Sequence, residues 1–151
     1  MNSFFFEKIP INKFHNASAA IIIDSKKNYL LQHRDNNHKI FFPNYWGLFG
    51  GAKEKNESYA KCLIREINEE IGIQIEIFKF LFKFSYNLNF KDKMKINRYF
   101  YEININANLK RNIKLKEGQS FKFFRYSDLI SLNLTPYDSY AIWLHKNFDS
   151  K

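Results

Sequence analysis

WGLFGGAKEKNESYAKCLIREINEEIGI, residues 46–73, is the stretch on which the reading of this 151-residue chain turns. A Gly-rich turn, Gly47 to Gly51, passes into an amphipathic segment that stops at Gly72. Five of the chain's fifteen acids (Glu54, Glu57, Glu66, Glu69, Glu70) lie inside it, although the formal net charge is +9. A basic protein that gathers carboxylates in one place is holding something positive there.

Wound at about 3.6 residues per turn, residues 58–71 sort into faces. Ala60, Leu63, Ile64, Ile67 and Ile71 recur at helical spacing and form one apolar stripe for a core. Glu66, Glu69 and Glu70 project beside that stripe within an arc of about 100°. Like charges this close would destabilise an isolated helix. A divalent cation removes the repulsion, and carboxylate oxygens suit Mg²⁺ or Mn²⁺. Arg65, one turn before Glu69, can pair with it and with Glu57, which makes it an orienting residue rather than a catalyst.

The spacing resembles a known family. Gly51, five residues, Glu57, seven residues, then Arg65-Glu66-Ile67-Asn68-Glu69-Glu70-Ile71-Gly72-Ile73 is similar to the Nudix box at every defined position. Two positions beside it differ from common usage. Asn56 stands where Gly is frequent, and Asn is the next residue to accept a left-handed backbone. Phe49 stands where Pro is frequent, which alters stiffness more than chemistry.

The resemblance implies an α/β fold, the Nudix-type α/β/α sandwich with a mixed β-sheet, over a single domain of residues 1–151. It implies Glu66, Glu69 and Glu70 as ligands to Mg²⁺ or Mn²⁺, with the carbonyl of Gly50 from the turn. Gly51, Glu57, Arg65 and Gly72 then support the box. Such enzymes often add a carboxylate from a late loop, and Glu117 is the only acid between Glu102 and Asp128. Glu117 and Glu69 therefore both stand as general bases.

Composition bounds the rest. Seventeen Phe and nine Tyr can fill a core in a chain of this length. A lone cysteine, Cys62, excludes an internal disulfide and suits a reducing cytoplasm. No apolar run approaches a membrane span or a signal-peptide core. The lysines are scattered rather than clustered, so the positive charge reads as compositional bias more than nucleic-acid binding. His33, His38 and His145 have no spacing for zinc or for a triad.

In chain order, residues 1–16 read as a lead-in, and 17–24 and 29–34 as strands. Residues 35–44 read as a polar loop and 45–49 as a short strand into the box. Residues 73–87 alternate as a long strand whose phase slips near Ile77, and 96–107 read as its partner. Residues 108–118 read as a basic loop and 120–126 as a strand. Ser127-Asp128 caps a short helix at 129–132, and 136–148 forms a closing helix with Pro136 in its first turn. Arg34 and Arg98, each placed at or near a strand end, would meet substrate phosphates. Tyr45, Trp46, Phe42 or Tyr99 would stack a base. Loops 35–45 and 87–95 would set specificity.

The function this implies is metal-dependent cleavage of the pyrophosphate linkage in a small nucleotide, a nucleoside diphosphate linked to another group. Nucleotide sugars and nucleoside triphosphates both fit, and a homodimer is compatible. The rival reading is a non-catalytic Nudix-fold module that binds nucleotide or RNA. Retention of every box carboxylate favours the enzyme.

Overall fold

A computed structural model of the chain describes residues 13–88 and 94–148. The apolar run AIII at 20–23 lies in the central strand β1 (Lys13–Ile23) and is buried on both faces. Ala19, Ile21 and Ile23 pack with Leu31, Leu48, Phe100, Ala141 and Ile142. Ala20 and Ile22 pack with Phe49, Leu63, Ile67 and Ile71. Period-two alternation with apolar residues at every position requires cover on both sides.

Helix α1 (Tyr59–Ile71) supplies the cover on one face and α3 (Pro136–Phe148) on the other. The sheet also holds β2 (Tyr29–His33), β3 (Trp46–Gly47), β4 (Phe49–Ala52), β5 (Lys79–Leu88), β6 (Met94–Asn104) and β7 (Ser120–Phe124). Its path runs β3-β2-β1-β6-β5, with β4 on β1 and β7 on β2. β1 and β6 run parallel over their whole lengths and the remaining pairs are antiparallel, so the sheet is mixed. β1 divides one edge between two partners: β4 takes Ala17 to Ala20, and β2 takes Ile22 and Ile23. That division brings the Gly-turn and β2 side by side beneath α1. Ile67, with no exposed surface, is worth about 1.5–3 kcal/mol to this packing.

Several sequence expectations need correction. Residues 13–16 belong to β1 rather than to a lead-in, because β6 pairs with them from Lys13 onward. Residues 45–49 form no single strand: β3 and β4 are separate, parted at Leu48. The strand expected from residue 73 begins only at Lys79, and its phase slip is a bulge between Phe80 and Phe82, later than Ile77. The basic loop contains a short helix, α2 (Ala107–Arg111), whose N-cap Asn106 accepts from the Leu109 N–H. The helix expected at 129–132 is a 3-10 turn, Tyr126–Ser131, with no side-chain cap. The loop expectation for 87–95 lies largely outside the described residues.

Candidate active site

Helix α1 is fixed at both ends by the residues its sequence offers. Ser58 caps the start, its Oγ accepting from Lys61 N–H, and Gly72 closes the end in the left-handed region at φ 69°. The last-turn carbonyls find partners outside the helix. Lys116 N–H donates to Glu70 O at 2.8 Å and Lys114 N–H to Ile71 O at 2.9 Å. The loop carrying Glu117 is thereby docked on the acidic end of α1.

The Gly-turn meets the helix from the sheet. Gly50 has φ 130°, and a Cβ there would run into Ser18 O and lie 2.7 Å from Ala19 Cα. Its N–H donates to Glu70 Oε2 at 2.7 Å. The other Glu70 oxygen accepts from Gln32 Nε2 at 3.3 Å, and the same amide nitrogen lies 3.3 Å from Glu117 O. At Gly51 a Cβ would collide with the Glu66 carboxylate, 2.6 Å from its Cδ. The box glycines are thus places where two backbone segments and two carboxylates come too close for a side chain.

Charge in this cluster is disfavoured. Burial pushes the Glu70 carboxyl up to about 8; the Gly50 N–H opposes this, and the neighbouring charges of Glu66 and Glu117 add to it. Glu66 is also raised, chiefly by burial, with Arg65 opposing and Glu69 and Glu117 repelling. Glu69 is exposed.

Arg65 organises the acids from the other side. Nε lies 2.9 Å from Glu57 Oε1, Nη1 reaches Glu66 at 2.7 Å and Glu69 at 3.0 Å, and Nη2 donates to Ala52 O at 2.9 Å. The Arg65 guanidinium holds Glu57 down to about 2. Glu57 returns to the backbone by accepting from Glu54 N–H at 3.0 Å. Cys62 is buried with its Sγ 3.5 Å from Gly51 O, a small spacer under the turn.

Among the described residues, no three His, Cys, Asp or Glu side chains already form a metal-holding group. Glu66 and Glu69 face Arg65, and Glu70 faces the Gly50 N–H. The donor set nonetheless fits a hard divalent cation. Glu66, Glu69 and Glu70 share one helix end beside Glu117, their oxygens are hard donors, and a cation would relieve the repulsion that raises Glu66 and Glu70.

The proposed substrate residues fare unequally. Arg34 stands one residue past the end of β2, near a strand end as expected although outside the strand, and donates from Nε to Phe41 O at 3.1 Å. Tyr45 packs on Phe42, ring centroids 5.4 Å apart. Trp46 is stacked on His33 at 4.9 Å and meets Phe124 edge-on, so it is already packed by its neighbours. Tyr99 stacks on Tyr59 at 3.6 Å. Arg98 is not at a strand end: it sits in the middle of β6, paired with Ala17 and Phe84, and lies 3.3 Å from Asp138. An arginine enclosed in that way is not an open phosphate contact. Gln32 was missed; its signal was an amide inside the apolar strand YLLQH. Asp138 was also missed. It accepts from Leu48 N–H at 3.0 Å and Thr135 Oγ at 2.7 Å, long-range partners that no local pattern shows.

Residues 13–143 match the family model described as the NUDIX domain. A prenyl-diphosphate phosphatase of Methanosarcina mazei is 41% identical over 61 residues, which are 40% of this chain and 35% of that protein. The match therefore spans about a third of the curated relative's length. In architecture the chain is similar to the MutT protein from Methanosarcina mazei Go1, with TM-score 0.79, 20% identity, and 94% and 100% of the two chains covered. It is also similar to the NUDIX domain of Shewanella oneidensis NrtR, solved with ADP ribose, with TM-score 0.75, 15% identity, and 96% and 94% covered. These likenesses bear on the fold alone. With the family model spanning most of its length, the chain belongs to the Nudix hydrolase family.

Proposed function

We propose that the protein is a divalent-metal-dependent hydrolase that cleaves a phosphoanhydride in a small molecule carrying a diphosphate. The observation that carries this reading is the gathering of Glu66 and Glu70, both raised by burial, beside the further negative charge of Glu117, an arrangement that calls for a cation. Mg²⁺ or Mn²⁺, when bound, polarises phosphoryl oxygens and supplies an acidified water. Glu66, Glu69 and Glu70 hold the ion, with the Gly50 carbonyl as the backbone donor. Arg65 keeps Glu66 and Glu69 oriented in the ion's absence. Glu117, held on the loop docked to α1, orients the attacking water or accepts its proton, with Glu69 the other choice.

Two substrate classes fit. A nucleoside diphosphate linked to a second group, a nucleotide sugar or a triphosphate, is the first. The second is a diphosphate on an apolar chain, favoured by the name of the Methanosarcina relative. A reducing cytoplasm suits the lone buried thiol. The test is a phosphate-release assay across nucleotide sugars, dinucleotides, triphosphates and prenyl diphosphates, with Mg²⁺ and with EDTA. Turnover that needs the cation supports the reading; full turnover after metal stripping removes it, and binding without turnover would favour a non-catalytic module.

A further inference from the structure

Gln32 is an amide set in the apolar run YLLQH of β2, and it is only 5% exposed. Tyr29, Leu30 and Leu31 before it are core, so a polar side chain at this point is held in the interior by its hydrogen bonds. Nε2 carries two donors, and both reach far along the chain. One meets Glu70 Oε1 on α1 and the other meets Glu117 O on the late loop, each at 3.3 Å. Turned over, the amide would aim its carbonyl at two other oxygens, so the two acceptors fix its orientation.

Both partners are held in such a way that this amide sets the relation between them. Glu70 accepts from Gly50 N–H on Oε2 and from Gln32 on Oε1, which fixes the plane of the carboxylate while each oxygen keeps a further lone pair. On the other side, three consecutive loop residues lie against the end of β2. Glu117 O accepts from Gln32, and Gln119 N–H donates to His33 O at 2.9 Å. Between them Gly118 has φ 85°, and a Cβ there would lie 2.8 Å from Gln32 Cγ and 3.0 Å from His33 O. The glycine lets the loop come down onto the amide, and the amide holds a peptide plane that glycine's freedom would otherwise let turn. The Glu117 side chain is exposed, and its aim follows from that plane.

We propose that Gln32 is a positioning residue: one amide holds the metal-binding carboxylate of Glu70 and the backbone carrying Glu117 in a fixed relation. This rests on the hydrolase reading and adds to it the residue that couples the two parts of the site. Groups that orient a metal ligand through a second bond are worth about 10–100-fold in metal affinity or activity.

Gln32→Met keeps the length and the burial and removes the amide. Calorimetric titration of the metal-free protein with Mg²⁺ reads the Glu70 side without substrate. Affinity is expected about tenfold or more below the wild type's, at a stoichiometry that counts only folded sites. The loop side is read as kcat at saturating Mg²⁺, on the diphosphate compound that the wild type hydrolyses fastest. It should fall about tenfold, with KM little changed and no rescue by further Mg²⁺. The double variant Gln32→Met, Glu117→Gln should be about as slow as Glu117→Gln alone, because the amide acts through that residue. Gly118→Ala presses on the same amide from the loop; it should lower both quantities, and it decides the matter if Gln32→Met does not fold. Unchanged Mg²⁺ affinity, unchanged kcat, or losses that multiply in the double variant would overturn the proposal. So would a lower Tm with both quantities intact, which makes Gln32 a packing residue. A wild type that hydrolyses no diphosphate compound removes the hydrolase reading instead, and Gln32 is then judged on Mg²⁺ affinity alone. A wild type that binds no Mg²⁺ overturns both.

Discussion

Gly51 shows how a residue without a side chain can be part of a carboxylate site. Its α-carbon lies where any methyl would meet Glu66. Gly51→Ala is expected to fold, since no left-handed backbone is required there, but to displace the Glu66 carboxylate. Activity should fall by about tenfold or more, on the scale that small misplacements cost, while the thermal melt moves little. Glu70 gives the complementary case. Its charge is opposed by burial and by Glu66 and Glu117, so the neutral isostere removes a cost rather than a support. Glu70→Gln should therefore match or exceed the wild type in metal-free stability and lose most hydrolysis. An unfolded variant whose remaining folded fraction is fully active would make the acid structural.

At the level of elements, α1 was nearly complete in the sequence. Apolar spacing and the stop at Gly72 gave it within a residue, because periodicity and a closing glycine are local. The closing helix at 136–148 was legible for the same reason. The bulge in β5 was visible only as a slip of phase, since its position depends on the register of β6. The separation of β3 from β4 and the parallel pairing of β1 with β6 were not legible, because each is decided by partners tens of residues away. Arg98 was misplaced on this account: its neighbour Asp138 is forty positions on. The loop at 112–118 is the element that most concerns mechanism. Its backbone bonds to Glu70 and Ile71 fix it to α1 independently of the Glu117 side chain. Glu117→Gln should thus leave the loop in place and, if that carboxylate serves the attacking water, lower kcat with little change in Mg²⁺ affinity. Glu69→Gln should instead weaken metal binding and be partly rescued by excess Mg²⁺. The reverse pattern would move the base to the helix.

For the whole molecule, pH and metal act through different places. Asp24 closes the turn after β1, where burial alone would raise its carboxyl. Lys110, 2.7 Å away, and the N–H groups of Asn28 and Lys26 instead hold it down to about 2. A depressed folded value stabilises above the ordinary Asp range near 4, and that stabilisation fades as pH falls through about 2. Discounted for the partly exposed Lys110, it amounts to about 1 kcal/mol, and Asp24→Asn should be less stable at pH 7 but flatter in acid. Metal should act at the opposite side of the ledger, on the repelling acids. An ion that binds only the folded chain adds stability with concentration, about 2.7 kcal/mol at a hundred times Kd. In a domain of this size that is a rise in Tm of about 5–10 °C. Because the chain is strongly basic, the comparison must be made against NaCl at equal ionic strength, so that general screening is subtracted. Glu70→Gln should begin from an equal or higher metal-free Tm and gain much less from Mg²⁺, so the wild type closes any initial gap and overtakes the variant as the ion is added. Equal gains in both proteins would place the ion elsewhere and leave the gathered acids without the cation that their repulsion calls for.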